Sequence, residues 1–404
     1  MNPLQSRQGS NPKIFTNLGL KPWKVLAAAL LVVCSLTCTS AWGQVAAVQQ
    51  PQMAENVFKN IQVLRGIPVD EFIETMGFFA ASLGLNCVEC HTSDSAGNWD
   101  KFADDTPRKQ MARKMVLMVR AINQANFGGM GRVTCYSCHR GSDHPEISPS
   151  LADQYGTPPP DDPDRIQVHG DPIGGAEAER VLDKYIQAVG GQQQLEKLTS
   201  LVGKGTYVGY DTDDQEVLVE VFVKAPDQHA TVVHAQLGDN TFTFNGREGW
   251  VAAINEPLPL LALTGDDLEG ARADAELAIP VRIKQDFSNW HIGFPDVSVD
   301  GHRLQVIEGT TSGGMRVKLY FDKQSTLLVR QTLYSNTTVG PNPIHVEYSD
   351  YRTVAGVKIP FRWVKTWTDG QSTTQLVEVR PNVAIDATRF AKPAPAQPPK
   401  TVAQ

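Results

Sequence analysis

The residues best suited to chemistry are two copies of one pentapeptide pattern, CVECH at 87–91 and CYSCH at 135–139. Each copy places two thiols three positions apart, with a histidine directly after the second thiol. C-x-x-C-H is the attachment signature of c-type haem, in which two thiols add to the porphyrin vinyl groups and the imidazole binds iron. We therefore predict two covalently bound c-type haems. The predicted attachment residues and iron ligands are Cys87, Cys90, Cys135 and Cys138, with His91 and His139.

Two other uses of paired cysteines compete with this interpretation. Close cysteine pairs in an oxidising compartment form disulfides, and two C-x-x-C pairs can hold a structural zinc ion. Neither alternative gives a role to His91 or His139. The adjoining histidines therefore favour haem.

The sixth iron position decides whether a haem carries electrons or performs chemistry at the metal. Upstream of the first motif, Pro68 and Gly84 predict the start and the end of a helix. Its apolar positions fall on one face: Phe72, Ile73, Met76, Phe79, Ala80 and Leu83. Met76 lies in the middle of this face, which makes it the predicted sixth ligand of the first haem.

A second helix is predicted upstream of the second motif, with Thr106 as N-cap and Pro107 at the first helical position. Met111, Met115 and Met118 lie on one face of it. A methionine stripe at this spacing is also common as core filling. Spacing leaves the choice among the three methionines open, and His144 is an alternative sixth ligand for either haem.

The N-terminus predicts export from the cytoplasm. Four basic residues and no acidic ones occur in residues 1–43, around the apolar run VLAAALLVVCSL and the small-residue exit SAWG. This pattern is typical of a cleaved signal peptide spanning 1–43. The alternatives are an uncleaved anchor helix, since about 20 apolar residues cross a bilayer, and a lipoprotein acylated at Cys38.

Charge restricts the class of partner. Removal of residues 1–43 takes the formal net charge from −7 to −11. Phosphate backbones repel such a chain, so we expect no nucleic-acid partner. The predicted location is the periplasm, with membrane association left open.

The rest of the chain changes character twice. A proline-rich linker is predicted over 143–174, after a haem domain at 44–142. Alternating segments such as MRVKLYFDKQSTLLVRQTLYS then predict an antiparallel sheet of eight or more strands over 175–390, curled into a half-barrel or open barrel, before a Pro/Ala-rich tail at 391–404. The predicted fold is multidomain α + β, a small α-helical dihaem cytochrome c domain followed by this β-domain.

Residues 54–142 resemble the cytochrome c subunit of photosynthetic reaction centres. The resemblance rests on NVFKNIQVLRGIPVDEFIETM, CVECH, MVRAIN and VTCYSCHRG. It implies that each haem lies against the helix before its motif and takes a methionine from that helix, which assigns Met76 and, among the three open methionines, Met118. The β segments YFDKQSTLLVRQ and DYRTVAGVKIPFRW resemble those of outer-membrane lipoprotein carriers.

The chain departs from the reaction-centre subunit in haem number. That subunit carries four haems, whereas this chain has two attachment motifs, as do shortened relatives of non-phototrophic bacteria. The predicted function is therefore a periplasmic dihaem electron carrier rather than an enzyme, with a redox donor and a redox acceptor as partners. The acceptor could be a membrane reaction centre or a respiratory complex. Two alternatives remain: a peroxidase-like dihaem enzyme, and a lipid- or ligand-binding β-domain protein with accessory haems.

Overall fold

The computed structural model describes residues 51–95, 98–157, 175–254, 256–293, 297–299 and 302–397. The predicted signal peptide with Cys34 and Cys38, the linker residues 158–174 and the end of the tail lie outside the described residues. Within the described ranges, no helix has both the length and the apolar character needed to cross a membrane.

The N-terminal part of the described chain is helical. It contains α1 (Ala54–Val57), α2 (Val69–Leu83), α3 (Cys87–Cys90), α4 (Pro107–Phe127), α5 (Cys135–His139) and α6 (Leu151–Tyr155), with 3-10 turns at Ser93–Ser95 and Trp99–Ala103.

Local sequence explains where the two long helices begin and end. Helix α2 follows Pro68 and stops at Gly84, whose φ of 65° is left-handed, a conformation that glycine adopts without strain. Helix α4 starts after Thr106, whose side chain accepts from the N–H of Lys109 at 3.1 Å. Both predicted helix starts and the Gly84 stop are confirmed.

The C-terminal part is a large antiparallel sheet with a few helices. Helices α7 (Gly175–Ala188) and α8 (Gln192–Lys197) precede it, and α9 (Gly265–Ala278) and α10 (Ile283–Asp286) lie between its sixth and seventh strands. The strands are β1 (Ser200–Gly209), β2 (Val217–Lys224), β3 (Gln228–Ala235), β4 (Gly238–Phe244), β5 (Gly249–Ala252), β6 (Leu261–Ala262), β7 (Phe287–Ile292), β8 (Val297–Val299), β9 (His302–Thr311), β10 (Arg316–Asp322), β11 (Leu328–Thr337), β12 (Gly340–Val354), β13 (Val357–Trp367) and β14 (Gly370–Pro381).

The described strands follow the order β6-β5-β4-β3-β2-β1-β14-β13-β12-β11-β10-β9-β7, and β8 pairs with β9. The first and last strands are therefore neighbours in the middle of the sheet, paired from Leu201 opposite Pro381 to Gly209 opposite Ser372 with one register shift between Lys204 and Gly205. Among the described residues, β6 and β7 end the order without pairing with each other, so the sheet is open. The predicted combination of an α-helical part with an open antiparallel sheet is confirmed.

The main apolar core lies between the helices and one face of the sheet. Leu182 of α7, Leu195 of α8 and Ile279 after α9 are buried there against Leu319 and Phe321 of β10. Burial of one aliphatic or aromatic side chain contributes about 1.5–3 kcal/mol to folding. This core fixes the sheet, and the helical part packs against the sheet separately.

Helix α2 is joined to the sheet region by polar contacts. Asp70 is 4% exposed and accepts from the N–H and the hydroxyl of Thr264 at 2.6 and 2.7 Å. Ser335 of β11 donates its hydroxyl to Glu74 at 2.8 Å. Arg120 of α4 donates to the hydroxyl of Thr338 at 2.9 Å. The helical part is therefore anchored on the sheet and does not extend away from it.

Replacing Asp70 with alanine is expected to destabilise the folded protein. Loss of the carboxylate leaves the N–H and hydroxyl of Thr264 without their acceptor, at a cost of about 1–3 kcal/mol for buried polar groups. Urea unfolding at pH 7 measures the loss as a lower midpoint. Asp94→Ala, at an exposed position, serves as the control. Equal midpoints for the two variants would contradict the anchoring role of Asp70.

Candidate haem-binding site

The first motif forms a short capped helix. Asn86 accepts from the N–H of Glu89 at 3.2 Å, and the Glu89 carboxylate accepts from the N–H of Asn86 at 2.8 Å, which completes a capping box around α3. Thr106 donates its hydroxyl to the carbonyl of Cys90 at 2.5 Å. Cys87 is exposed and Cys90 half-buried, and both are free thiols. The capping box thus fixes the backbone that carries the two motif thiols.

His91, which ends this motif, has one ring nitrogen already engaged. Its Nδ1 lies 3.1 Å from the carbonyl oxygen of Phe102, and the two rings lie with centroids 4.8 Å apart. A carbonyl only accepts, so Nδ1 carries the hydrogen and Nε2 keeps its lone pair. Burial, together with the nearby ammonium of Lys109, lowers the pKa of His91. The imidazole is therefore neutral at pH 7, as iron ligation requires.

The second motif repeats this arrangement. Thr134 and Ser137 form the capping box of α5. His139 Nδ1 lies 2.9 Å from the carbonyl oxygen of Ser142, which leaves its Nε2 for a metal. Cys138 is exposed, while Cys135 is 9% exposed, and burial raises the pKa of the Cys135 thiol to about 11. A thioether at Cys135 would have no proton to lose, so its apolar surroundings suit the attached form.

The backbone brings the two motifs together. The N–H of Gly141, two residues after His139, donates to the carbonyl of Ser82 at 2.9 Å. A Cβ on Gly84 would overlap the carbonyl oxygen of Gly141, so glycine is required here for close approach as well as for its positive φ. The segment that leaves the second motif therefore touches the segment that enters the first.

Arg108 adds a second link between the motifs. Its guanidinium donates to the carbonyl of Glu89 at 3.5 Å and lies 3.6 Å from the carboxylate of Asp143. One side chain on α4 thus contacts the first motif and the segment that follows the second.

The predicted face of α2 that carries Met76 is less buried than the other faces of the helix. All six predicted apolar residues on this face are half-buried, whereas Thr75, Phe78 and Ser82 on the other faces are buried. Phe78 packs with Cys135 in one apolar cluster. Met76 also packs against this cluster, so its face of α2 is partly covered by the protein and partly accessible to a further apolar group.

Helix α4 also has a buried face and a more exposed face that carries methionines. Its buried residues are Val116, Val119 and Asn123, whereas Met111 is 51% and Met118 is 44% exposed. Met115 is half-buried. The core-filling alternative is therefore wrong for Met111 and Met118, although the choice among the three methionines stays a prediction.

Eight of the fifteen exposed large apolar side chains among the described residues lie in the segment 87–139, which contains both motifs. Large exposed apolar groups mark a binding surface where they form a contiguous patch. The exposed large apolar residues between the first motif and the end of the second are Val88, Trp99, Met111, Leu117, Met118, Phe127, Met130 and Tyr136. The free thiols, the two imidazoles held through Nδ1 and these side chains together fit covalently bound haem.

The other sequence-based alternatives for this region find less support. Among the described residues, histidine, cysteine and carboxylate side chains do not form a group of three or more arranged to hold a metal ion directly. The four motif cysteines are free, so they form no disulfides in the described structure. His144 is exposed, and its Nδ1 lies 2.7 Å from the carboxylate of Asp143.

Several contacts at the site escaped prediction from the sequence. The acceptors for His91 and His139 are backbone carbonyls, which every residue has, so Phe102 and Ser142 carry no sequence signal. Lys109 donates its ammonium to the same Phe102 carbonyl at 2.7 Å, which places a cation beside His91. In the sequence, only the position of Lys109, just after the Thr106 N-cap, indicated a cation near His91.

Residues 37–154 match the family model described as photosynthetic reaction centre cytochrome C subunit. The reaction center cytochrome c subunit of Thermochromatium tepidum is 39% identical over 100 residues, covering 24% of this chain and 23% of the relative. Its counterpart from Roseobacter denitrificans is 29% identical over 102 residues, covering 23% of this chain and 27% of that relative. The chain thus spans about a quarter of the length of the curated relatives it matches. The predicted resemblance is confirmed for this segment.

Solved structures give more distant matches. A LolA superfamily protein from Nitrosomonas europaea has 16% identity and a TM-score of 0.36, with 53% of this chain and 97% of that chain covered. A putative outer membrane lipoprotein-sorting protein domain from Vibrio parahaemolyticus has 10% identity and a TM-score of 0.37, with coverage of 53% and 97%. These likenesses are too distant to transfer a function.

Proposed function

We propose that this protein is a periplasmic dihaem c-type cytochrome that passes single electrons from a donor protein to an acceptor protein. The observation that carries this proposal is the matching geometry of two C-x-x-C-H motifs. In each, a histidine is held through Nδ1 by a backbone carbonyl, with Nε2 left for iron. The similarity of residues 37–154 to the reaction-centre cytochrome family supports the same conclusion.

The haems, when attached, supply the one-electron couple of iron, and the chain supplies the environment. Cys87, Cys90, Cys135 and Cys138 would hold the two haems by thioether bonds. His91 and His139 would bind iron, and the carbonyls that accept from their Nδ1–H groups orient each ring and raise its basicity. Met76 and Met118 would complete the coordination, and thioether ligation raises the reduction potential.

The link between the motifs supports transfer between the two haems. The N–H of Gly141 donates to the carbonyl of Ser82, and the Arg108 side chain contacts the first motif and the segment after the second. These contacts join the backbone segments that carry the two motifs. An electron entering at one haem would therefore have a short route to the other within the same chain.

The charge of the exported chain suggests the type of partner. After loss of residues 1–43 the formal net charge is −11. Opposite charge steers encounter between redox proteins, so the donor and the acceptor are expected to present basic surfaces, and their association rates are expected to fall with salt. A membrane reaction centre or a respiratory complex are the proposed classes of acceptor.

The proposal is tested by redox titration of the purified, exported protein. Two one-electron transitions of equal amplitude are expected in the visible spectrum. Both haems are expected to be low-spin in the oxidised and in the reduced protein. Addition of hydrogen peroxide to the reduced protein is expected to give slow oxidation without turnover. A high-spin haem together with sustained turnover of peroxide would contradict the electron-transfer proposal and favour the peroxidase-like enzyme.

A further inference from the structure

Two turns of the sheet contact the helical part next to the two cysteine motifs. One turn lies between β13 and β14 and consists of Thr368 and Asp369. The other lies between β11 and β12 and consists of Thr338 and Val339. The two turns approach different motifs, and they present different chemistry, because the first carries a carboxylate and the second an apolar group.

The turn between β13 and β14 packs directly on α2, at the residue after Met76. A Cβ on Gly77 would lie 2.7 Å from Thr368 Oγ1 and 3.1 Å from Asp369 Oδ1. Gly77 is buried, so a larger residue at this position would push the turn away from the helix. The turn therefore lies against the helix that carries the predicted sixth ligand of the first haem.

The carboxylate of Asp369 also acts on the first motif. Burial and, after it, the Asp369 carboxylate raise the pKa of the Cys87 thiol. Tyr210, which follows β1, is within electrostatic reach of both groups, since desolvation, Cys87 and Asp369 raise the pKa of its phenol. A porphyrin bonded to the sulfur of Cys87 has its rim at that sulfur. The carboxylate of Asp369 would therefore lie close to the first haem.

The charge of Asp369 favours oxidised iron. The residue is exposed, so its carboxylate is ionised at pH 7, although partial desolvation raises its pKa against hydrogen bonds from its own backbone and from the Trp367 side chain. Ferric haem has one positive charge more than ferrous haem. A nearby carboxylate therefore stabilises the ferric state and lowers the reduction potential. The ammonium of Lys109, near His91, acts in the opposite direction.

The turn between β11 and β12 enters the apolar cluster around the second motif. Val339 is 4% exposed and belongs to one cluster with Phe78 and Cys135. A Cβ on Gly340 would lie 2.7 Å from Phe78 Cζ and 2.8 Å from Thr134 Cγ2, so the backbone after Val339 touches the N-cap of α5. An apolar group beside a haem disfavours the additional charge of ferric iron and raises the potential.

Hydrogen bonds hold this second turn in place. Thr338 accepts from the guanidinium of Arg120 at 2.9 Å, which ties the turn to α4. Within the turn, the hydroxyl of Thr337 donates to the carbonyl of Gly340 at 2.7 Å. The position of Val339 against the second motif is therefore fixed from both sides.

We propose that these two turns of the sheet form part of the two haem pockets and that each turn sets the potential of one haem. Asp369 lowers the potential of the first haem, and Val339 raises the potential of the second. This inference rests on the proposed function, because it concerns haems bound at the two motifs. It gives the sheet a direct part in electron transfer, since one domain tunes two haems separately.

A redox titration of the full exported protein, with both haems, tests the role of Asp369. Asparagine has the same shape and still accepts from the Trp367 side chain, but it has no charge. In Asp369→Asn, one transition is expected to move to higher potential, with an increase of about threefold in the ferrous-to-ferric ratio of that haem at fixed ambient potential. The other transition is expected to stay in place.

Salt dependence separates charge from structural disturbance. The shift in Asp369→Asn is expected to shrink as the salt concentration rises, because solvent ions screen an exposed charge. A shift caused only by altered packing would not depend on salt. Glu179→Gln removes an exposed carboxylate from α7 and is the matched control, which should move neither transition.

Val339→Thr tests the second turn, because threonine is close to valine in shape and adds a hydroxyl. The transition that Asp369→Asn leaves in place is expected to move to lower potential, with a decrease of about twofold in the ferrous-to-ferric ratio. Val232→Thr makes the same change at a buried position, 8% exposed, in a separate cluster of the sheet. This control should leave both transitions unchanged.

Several outcomes would overturn the inference. They are an unmoved pair of transitions in Asp369→Asn, a shift that does not depend on salt, an equal shift in Glu179→Gln, and movement of the same transition by Asp369→Asn and Val339→Thr. The result for Asp369→Asn does not require that Val339→Thr folds. Two transitions that neither variant moves would leave the electron-transfer proposal in place, whereas their absence from the natural protein would overturn both proposals.

Discussion

Replacing Cys135 and Cys138 together with serine is expected to halve the haem content, from two haems per chain to one. Serine hydroxyls do not form thioether bonds with the porphyrin vinyl groups, so the second motif loses its covalent attachment. The first motif keeps its own capping box and its own histidine acceptor, Phe102. The ratio of haem absorbance to protein, measured after denaturation to remove any uncoupled haem, gives the result directly.

The converse variant and a matched control complete this experiment. Replacement of Cys87 and Cys90 should also leave one haem, and the fourfold variant should leave none. Serine at Cys34 and Cys38 makes the same chemical change outside the motifs and should leave both haems in place. Full haem content in either motif variant, or a loss caused by the control, would refute the assignment of the four attachment cysteines.

Alanine at Met118 is expected to convert one haem from low to high spin and to lower its reduction potential by roughly 0.1 V, within the range of about 0.8 V that axial ligands span. The thioether favours ferrous iron, and its loss opens the sixth position. Met76→Ala should do the same to the other haem. Electron paramagnetic resonance of the oxidised protein separates the two spin states, and a redox titration gives both potentials.

Two neighbouring methionines serve as controls for Met118. Met111 is equally exposed on the same helix, and Met115 is one turn away from each. Alanine at either position should preserve two low-spin haems. A high-spin signal from Met115→Ala, and none from Met118→Ala, would identify Met115 as the sixth iron ligand. His144→Ala tests whether His144 is the sixth ligand of either haem.

Local chemistry made part of the fold predictable. The helix limits at Pro68, Gly84 and Thr106 follow from dihedral preferences and capping, which act within a few residues. The two C-x-x-C-H motifs were recognisable because their spacing matches one porphyrin edge. Such features depend on near neighbours in the sequence and therefore appear in it.

Contacts between distant segments were not predictable in the same way. The alternating pattern of β10 placed Lys318 and Tyr320 opposite an apolar face, yet both are fully buried. Lys318 lies 3.5 Å from the carboxylate of Glu308 on the neighbouring strand. Alternation distinguishes two faces of a strand but does not say what covers the second one. The hydrogen bond from Gly141 to Ser82 is equally absent from any local pattern.

The attachment of α2 to the sheet bears on how fast an electron could move. Asp70 and Glu74 fix the helix that carries Met76 to Thr264 and Ser335. An iron ligand on a helix held in this way moves little when the metal changes its oxidation state. Small nuclear displacement means low reorganisation energy, and low reorganisation energy permits rapid transfer at small driving force. The fourteen-stranded sheet would then hold the helix that carries the iron ligand in a fixed position.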